Sequence, residues 1–501
     1  MGEWDISRQK HAVVIGGGLS GLSAACYIAR SGWQVTLLEK NPKLGGKIQH
    51  RYRDGFKFNL GPTMYLMPDI FEEFFNDFGV RIESELKLSD VHPYIRVFDN
   101  GEISDLSDIA NTKSLLEQKS KGSGRAFKKM MNRSRQLYAN LRLNYFNINW
   151  LGLFKFNNLD QLLNISKLKL NKSYKTFIHN YITDKPTEAA LSLPAAYLGS
   201  SPSLIPAVFA ILPHLFLGQK MKTVEGGMEQ LVSSLEALAH SLGVYIKTSS
   251  PVKKISTKFK QVDSVICQDG TVIECDAVVS AVDYQYAEKH LLEAENQSYS
   301  SGYWGRKHYS PSMLIISTAV KVKLDNLKFH NIFVGESEKF FDCLEKEDEC
   351  LEPTFYVHVS SRMEAGDAPA GCDNLVIQVL LPPITTDDLN YYNLVKENIY
   401  KKISSVSGID IKKEIVFEEM RAHSYFEDSF NASHGSAHGL AAKLNQIGPF
   451  APGIKSKAVE GLFYAGQDVA VGSSVGLAIN SGKVTAYALI GKKSGRGKLG
   501  S

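Results

Sequence analysis

A glycine turn set between a β-branched strand and a small-residue helix is the tightest constraint in this chain. His11 to Ile15 (HAVVI) suits a strand buried on both faces, Gly16 to Gly21 spell G-x-G-x-x-G, and Leu22 to Arg30 has helical spacing. Gly16 permits the tight turn, Gly18 lets a pyrophosphate approach the backbone, and Gly21 lets helix and strand pack closely. Leu19 and Ser20 join them as binding candidates, because the start of the helix offers free N–H groups to phosphate. A second strand, Gln34 to Leu38, ends at Glu39, 18 residues past Gly21, where an acid receives ribose hydroxyls and disfavours a 2′-phosphate. The unit reads as a dinucleotide cradle for which NAD and FAD are equally suitable.

A length of 501 residues exceeds what one hydrophobic core usually supports, so two domains are expected. The net charge of +4 is small and dispersed, which argues against nucleic acid. Six cysteines match no metal template and include no C-x-x-C, so reduced thiols are expected and no metal is assigned. MGEWDISRQK carries no secretory h-region, and no apolar run reaches the roughly 18 residues of a spanning helix. A cytoplasmic protein, soluble or peripheral to a membrane, is the expectation.

Three further segments separate FAD from NAD. Lys40 to Lys47 (KNPKLGGK) places Gly45 and Gly46 after the acid and before Lys47, an element NAD units do not require. Asp54 to Met67 (DGFKFNLGPTMYLM) resembles the corresponding stretch of the bacterial carotenoid desaturases, FAD enzymes of the phytoene desaturase type. Tyr425 to Leu489 is similar to the C-terminus of the same family, with GSA, GL, GLFYAG and Gly466-Gln467-Asp468 in order. The resemblance implies FAD held by Lys40, Gly45, Gly46 and Lys47 beside the opening loop, with Gly61, Pro62 and Thr63 near the flavin ring. It further implies Val252 on the adenine side, Gly466 and Asp468 at the ribityl or pyrophosphate part, and a helix start at Gly476 and Leu477 facing the flavin. One departure stands out: the family's His and Pro-Gly pair after the last strand are replaced by VAVGSSVG, with Gly472 and Gly476 alone keeping the spacing.

The implied fold class is α/β, a Rossmann-like FAD domain with a parallel sheet and β-meander, interleaved with a mixed α+β substrate domain. Residues 1–90, 221–295 and 451–493 are assigned to the first, 91–220 and 296–450 to the second, and 494–501 to a tail. Ser114 to Asn140 is expected to be helical, and Asp269-Gly270 signals a type I′ hairpin. Ser203 to Leu217 (SLIPAVFAILPHLFL) reads as a buried helix or as an interfacial segment, and Tyr145 to Phe156 as core or as part of the same surface.

What the resemblance implies for function is desaturation of a long apolar isoprenoid by hydride transfer to flavin, at a membrane surface. Alternatives are a carotenoid isomerase or polyene saturase, an amine or porphyrinogen oxidase, and a non-catalytic scaffold. No acid–base pair is evident. His434 and His438 are the candidates for proton transfer, for lining a substrate tunnel, or for metal, the last lacking a supporting carboxylate or Cys.

Overall fold

The computed structural model describes residues 9–146, 172–199, 201–383, 387–469 and 473–492. Strand β1 (His11–Ile15) lies at the centre of a five-stranded, all-parallel sheet with β2 (Gln34–Leu38), β3 (Tyr245–Lys247), β4 (Ala277–Ser280) and β5 (Leu462–Tyr464). The order is β5-β4-β1-β2-β3, and Val13 of β1 pairs with Thr36 on one side and Val278 on the other. Every residue of β1 is buried, as a strand covered on both faces must be. Ala12 and Val14 pack against helices α1 (Leu19–Arg30), α2 (Pro68–Asp77), α3 (Glu229–Ser241) and α4 (Val475–Leu489). Val13 and Ile15 face the β-meander of Val252–Lys258, Gln261–Cys267 and Val272–Glu274. The sheet therefore takes three separate parts of the chain to complete.

A seven-stranded mixed sheet forms the second body. Its order is Ile415–Arg421, Ser312–Val320, Asp373–Leu381, Phe355–His358, His330–Phe333, Ile95–Asp99 and Glu102–Leu106. One face packs on the helix Leu389–Ser407. The other meets a core that includes the helices Ser123–Asn144, Tyr174–His179 and Lys185–Gly199. The α/β parallel sheet with meander and the mixed α+β body agree with the expected fold class.

Three local expectations change. The helical stretch expected over Ser114 to Asn140 divides into Ile109–Lys119 and Ser123–Asn144, at Gly122 with φ +89°. Ser203 to Leu217 is not one helix, because Pro206 and Pro213 supply no N–H; a 3₁₀ turn (Ala207–Ile211) and a π turn (His214–Gly218) form instead. Ile205, Ala210, Ile211, Leu215 and Leu217 of this run are buried, while Val208, Phe209 and Phe216 are only partly so. The Asp269-Gly270 turn is not type I′, because only Gly270 has positive φ (+87°); the Gly270 N–H bonds the Cys267 carbonyl at 3.1 Å and leads into an αL glycine. Finally, Tyr145 to Phe156 lies outside the described residues beyond Phe146, as do Gly472 and the tail.

Candidate cofactor and active site

The end of β2 presents Glu39, which is buried and held by two backbone donors. Its carboxylate accepts the Gly17 N–H at 2.7 Å and the Asn41 N–H at 2.8 Å. Two backbone donors fix its direction toward the glycine loop and stabilise its charge. Gly18 caps α1 with φ −73°, and no side chain satisfies the first-turn N–H groups there. Those donors and the positive end of the helix dipole form an anion site.

The second glycine pair closes this site from the opposite side. Gly45 and Gly46 have φ of +109° and +56°, conformations that exclude most side chains. A Cβ on Gly46 would lie 3.2 Å from the Gly18 Cα, so the two backbones face one another bare. Gly21 allows the close helix–strand packing expected of the third glycine, since a Cβ there would fall 1.9 Å from the Gly16 carbonyl oxygen. Lys40 points elsewhere, its ammonium bonding the Asp428 carbonyl at 2.6 Å and Asn431 Oδ1 at 2.7 Å. Val252 is buried at the start of the meander, two residues after Ser250, whose N–H bonds the Glu39 carbonyl at 2.8 Å.

Toward α4 the cradle becomes charged. Lys47 Nζ donates to the Ala437 carbonyl at 2.6 Å and to Gln467 Oε1 at 2.8 Å. Asp468 is buried and accepts the Leu440 N–H at 2.8 Å and the Tyr284 N–H at 3.3 Å. Burial, with Asp283 nearby, pushes Asp468 up to about 7, and desolvation of the Lys47 ammonium pulls it down to about 8. Gly466 has φ +120°, and its N–H bonds Ser481 Oγ of α4 at 2.9 Å. Ser20 and Leu19 are buried where α1 meets α4. The Ser474 hydroxyl caps α4 by accepting the Leu477 N–H at 3.1 Å, and Gly476 abuts Met67 at the start of α2.

Gly61 connects this cradle to a cleft. A Cβ there would sit 2.1 Å from the Lys47 carbonyl oxygen, so only glycine lets the two segments touch. Gly61, Pro62 and Thr63 then line a small cleft together with Gln49, Phe329 and His358. Thr63 Oγ1 is 2.8 Å from Tyr356 Oη, which is 2.6 Å from His330 Nδ1.

The two histidine candidates sit in different settings. His434 is exposed, in the left-handed region at φ +56°, with its ring 4.4 Å from that of Tyr309. His438 points inward, its Nδ1 3.2 Å from Ser473 Oγ, and burial with Lys47 lowers its pKa to about 3. Among the described residues no group of His, Cys, Asp and Glu is arranged to hold a metal.

Sequence reasoning missed three contributors. Gly439 (φ +74°) leaves room for Asp468, whose Oδ1 would be 2.1 Å from a Cβ at that position. Gly482 lets α4 touch α1, where a Cβ would lie 2.3 Å from the Ser20 carbonyl oxygen. The His330–Tyr356–His358 group lies in HNIF and FYVH, strands without a local motif; only the cross-strand register reveals it.

Bare glycine backbone beside an uncapped helix N-terminus and a pinned buried acid fits a dinucleotide with two ribose hydroxyls and a pyrophosphate. Residues 19–377 match the family model described as flavin containing amine oxidoreductase. The chain belongs to that family. This flavoenzyme's cofactor is therefore FAD. It is 31% identical over 482 residues to a carotenoid 3,4-desaturase of Haloarcula japonica, covering 95% of this chain and 97% of that protein. It is 29% identical to a zeta-carotene-forming phytoene desaturase of Myxococcus xanthus (97% and 94% covered). It is 27% identical to a 4,4′-diapophytoene desaturase of Staphylococcus haemolyticus (95% and 98% covered). Among solved structures, the flavoenzyme resembles putrescine oxidase bound to putrescine (TM-score 0.61, 15% identity, 97% and 100% covered). It also resembles an oxidoreductase from Methanosarcina mazei (TM-score 0.60, 16% identity, 96% and 100% covered). At such identities the structural likeness shows the fold alone.

Proposed function

We propose that this flavoenzyme desaturates a long apolar isoprenoid of the phytoene or carotenoid-precursor class. The observation that carries the reading is the likeness to carotenoid 3,4-desaturase at 31% identity over nearly the full length of both chains. FAD, when bound, accepts a hydride and its electron pair from a substrate carbon.

The chain's own residues hold and orient that cofactor. Glu39 receives ribose hydroxyls, the Gly16–Gly21 loop and Gly45-Gly46 enclose the pyrophosphate, and Asp468 serves the ribityl part. The N-terminus of α4 at Gly476 and Leu477 favours negative charge on the flavin, while Gly61, Pro62 and Thr63 border the ring. Val252 supports the adenine side, and Lys47 sets the potential between Asp468 and the cradle.

The same reading assigns residues 1–90, 221–295 and 451–493 to the cofactor domain and 91–220 and 296–450 to the substrate domain. The strand membership of the two sheets supports this division. A peripheral position on a membrane follows from the chemistry of a substrate that scarcely dissolves in water. The half-buried Val208, Phe209 and Phe216 support it, and among the described residues no helix is long and apolar enough to cross a bilayer.

Phytoene in liposomes, incubated with the FAD-loaded protein and an electron acceptor, tests the proposal. A stepwise red shift of the polyene absorption is expected. A changed isomer ratio at constant chromophore length would replace the reading with isomerisation, and no change with any C30 or C40 polyene would reject both.

A further inference from the structure

His358 and His330 face each other across the antiparallel strand pair that carries them, on the inner surface of the seven-stranded sheet. Both are buried, and their rings stack with centroids 5.5 Å apart. Their hydrogen bonds give them different roles. His330 Nδ1 is engaged by Tyr356 Oη, which in turn meets Thr63, and His330 Nε2 is sealed in protein without a partner. His330 thus fixes the position of the Gly61–Thr63 segment.

His358 is arranged the opposite way. Its Nδ1 lies 3.1 Å from the Phe329 carbonyl oxygen, which can only accept, so Nδ1 carries the hydrogen. In a neutral ring Nε2 is then a bare lone pair. That nitrogen has no hydrogen-bond partner among the described residues. His358 borders the small cleft lined by Gly61, Pro62 and Thr63, next to the segment that ends the cofactor cradle. Burial holds the ring neutral by lowering its pKa to about 4. His434 and His438 do not line this cleft.

We propose that His358 Nε2 accepts the proton released when the substrate is desaturated, an inference that rests on the function proposed above. Two hydrogens leave adjacent carbons for each double bond formed. One leaves as hydride, with its electron pair, to the cofactor. The other C–H bond then breaks: its electron pair becomes the π component of the new double bond, and its proton forms the Nε2–H bond of an imidazolium. A weak base is sufficient, because a C–H beside an allylic cation is strongly acidic. Gln49, Ser360 and Glu364 border the same cleft and offer the imidazolium a polar route for passing its proton on to water.

The test uses full-length, FAD-loaded protein with H358A and H358N. The asparagine side chain of H358N keeps an amide donor for the Phe329 carbonyl but has no lone pair at the Nε2 position. Both variants are expected to retain FAD at one per chain with an unchanged flavin spectrum, while the desaturation rate falls about 100-fold or more. Added imidazole is expected to restore part of the H358A rate, and deuterium at the proton-losing carbon is expected to slow H358N more than wild type. Wild-type rates in either variant, or lowered rates with neither imidazole rescue nor an altered isotope effect, would overturn the assignment. An inactive wild-type protein would instead reject the desaturase reading itself, so the two failures are distinguishable.

Discussion

Replacing Gly18 by Ala separates the demands of the fold from the demands of the cofactor. Gly18 has φ −73° and ψ 175°, which any residue adopts, and a Cβ there would meet nothing nearer than the Gly46 Cα at 3.8 Å. The FAD-free G18A protein is therefore expected to keep its stability within about 1 kcal/mol, the small loss of an N-cap glycine offsetting the entropic gain of Ala. The new methyl group instead stands on the bare loop backbone that the pyrophosphate must approach closely. A 100-fold loss of FAD affinity, about 2.7 kcal/mol, is the expected minimum. At FAD concentrations 100 times the wild-type Kd, ligand stabilisation of about 2.7 kcal/mol in wild type falls to about 0.4 kcal/mol in the variant. Flavin fluorescence titration gives the affinity, and thermal melts with and without FAD give the stabilisation. G21A is the contrast: its Cβ would fall 1.9 Å from the Gly16 carbonyl oxygen, so folding itself fails. G18A protein that purifies with one FAD per chain would refute the placement of the pyrophosphate.

Three other outcomes follow from the packing. In G482A the new Cβ would lie 2.3 Å from the Ser20 carbonyl oxygen and 2.8 Å from the Ala24 nitrogen, both rigid backbone, so urea unfolding is expected to show a loss of about 3 kcal/mol. Arg142 is buried and bonds Asp69 at 2.8 Å and also Glu73 on α2, so R142A is expected to cost about 2 kcal/mol in the same assay; the partial exposure of both carboxylates keeps the loss below that of a fully buried pair. His358 titrates near 4 when folded against 6.5 when unfolded, so the unfolded chain binds more protons between these values and stability is lost as pH falls through that window, by about 3 kcal/mol in full. Asp468, raised to about 7 from 3.8, acts in the opposite direction in the FAD-free protein. The readout is therefore a difference: from pH 7 to 4.5 wild type is expected to lose more stability than H358N, and parallel losses would contradict the assignment.

The cofactor end was legible in the sequence because its chemistry is written in neighbouring residues. β1, the glycine loop, α1, β2 and Glu39 occupy one continuous stretch, and each glycine's steric reason is readable from its place in G-x-G-x-x-G between strand and helix. The substrate side was less legible because its determinants are paired across strands. His330 and His358 are 28 positions apart and gain meaning only in register, and Gly439 and Gly482 are explained by Asp468 and α1, which approach them in space. Of the two readings of Ser203 to Leu217, the single helix gives way, because two prolines remove N–H groups that a continuous helix needs.

An anaerobic single turnover tests the central claim most directly. FAD-loaded protein is mixed with a liposome-embedded polyene, and flavin absorbance is followed while the polyene is sampled for mass. The account predicts loss of the oxidised-flavin band at the same rate at which the polyene loses two hydrogens. Oxidised flavin throughout, or a reduced flavin beside a polyene of unchanged mass, would contradict it.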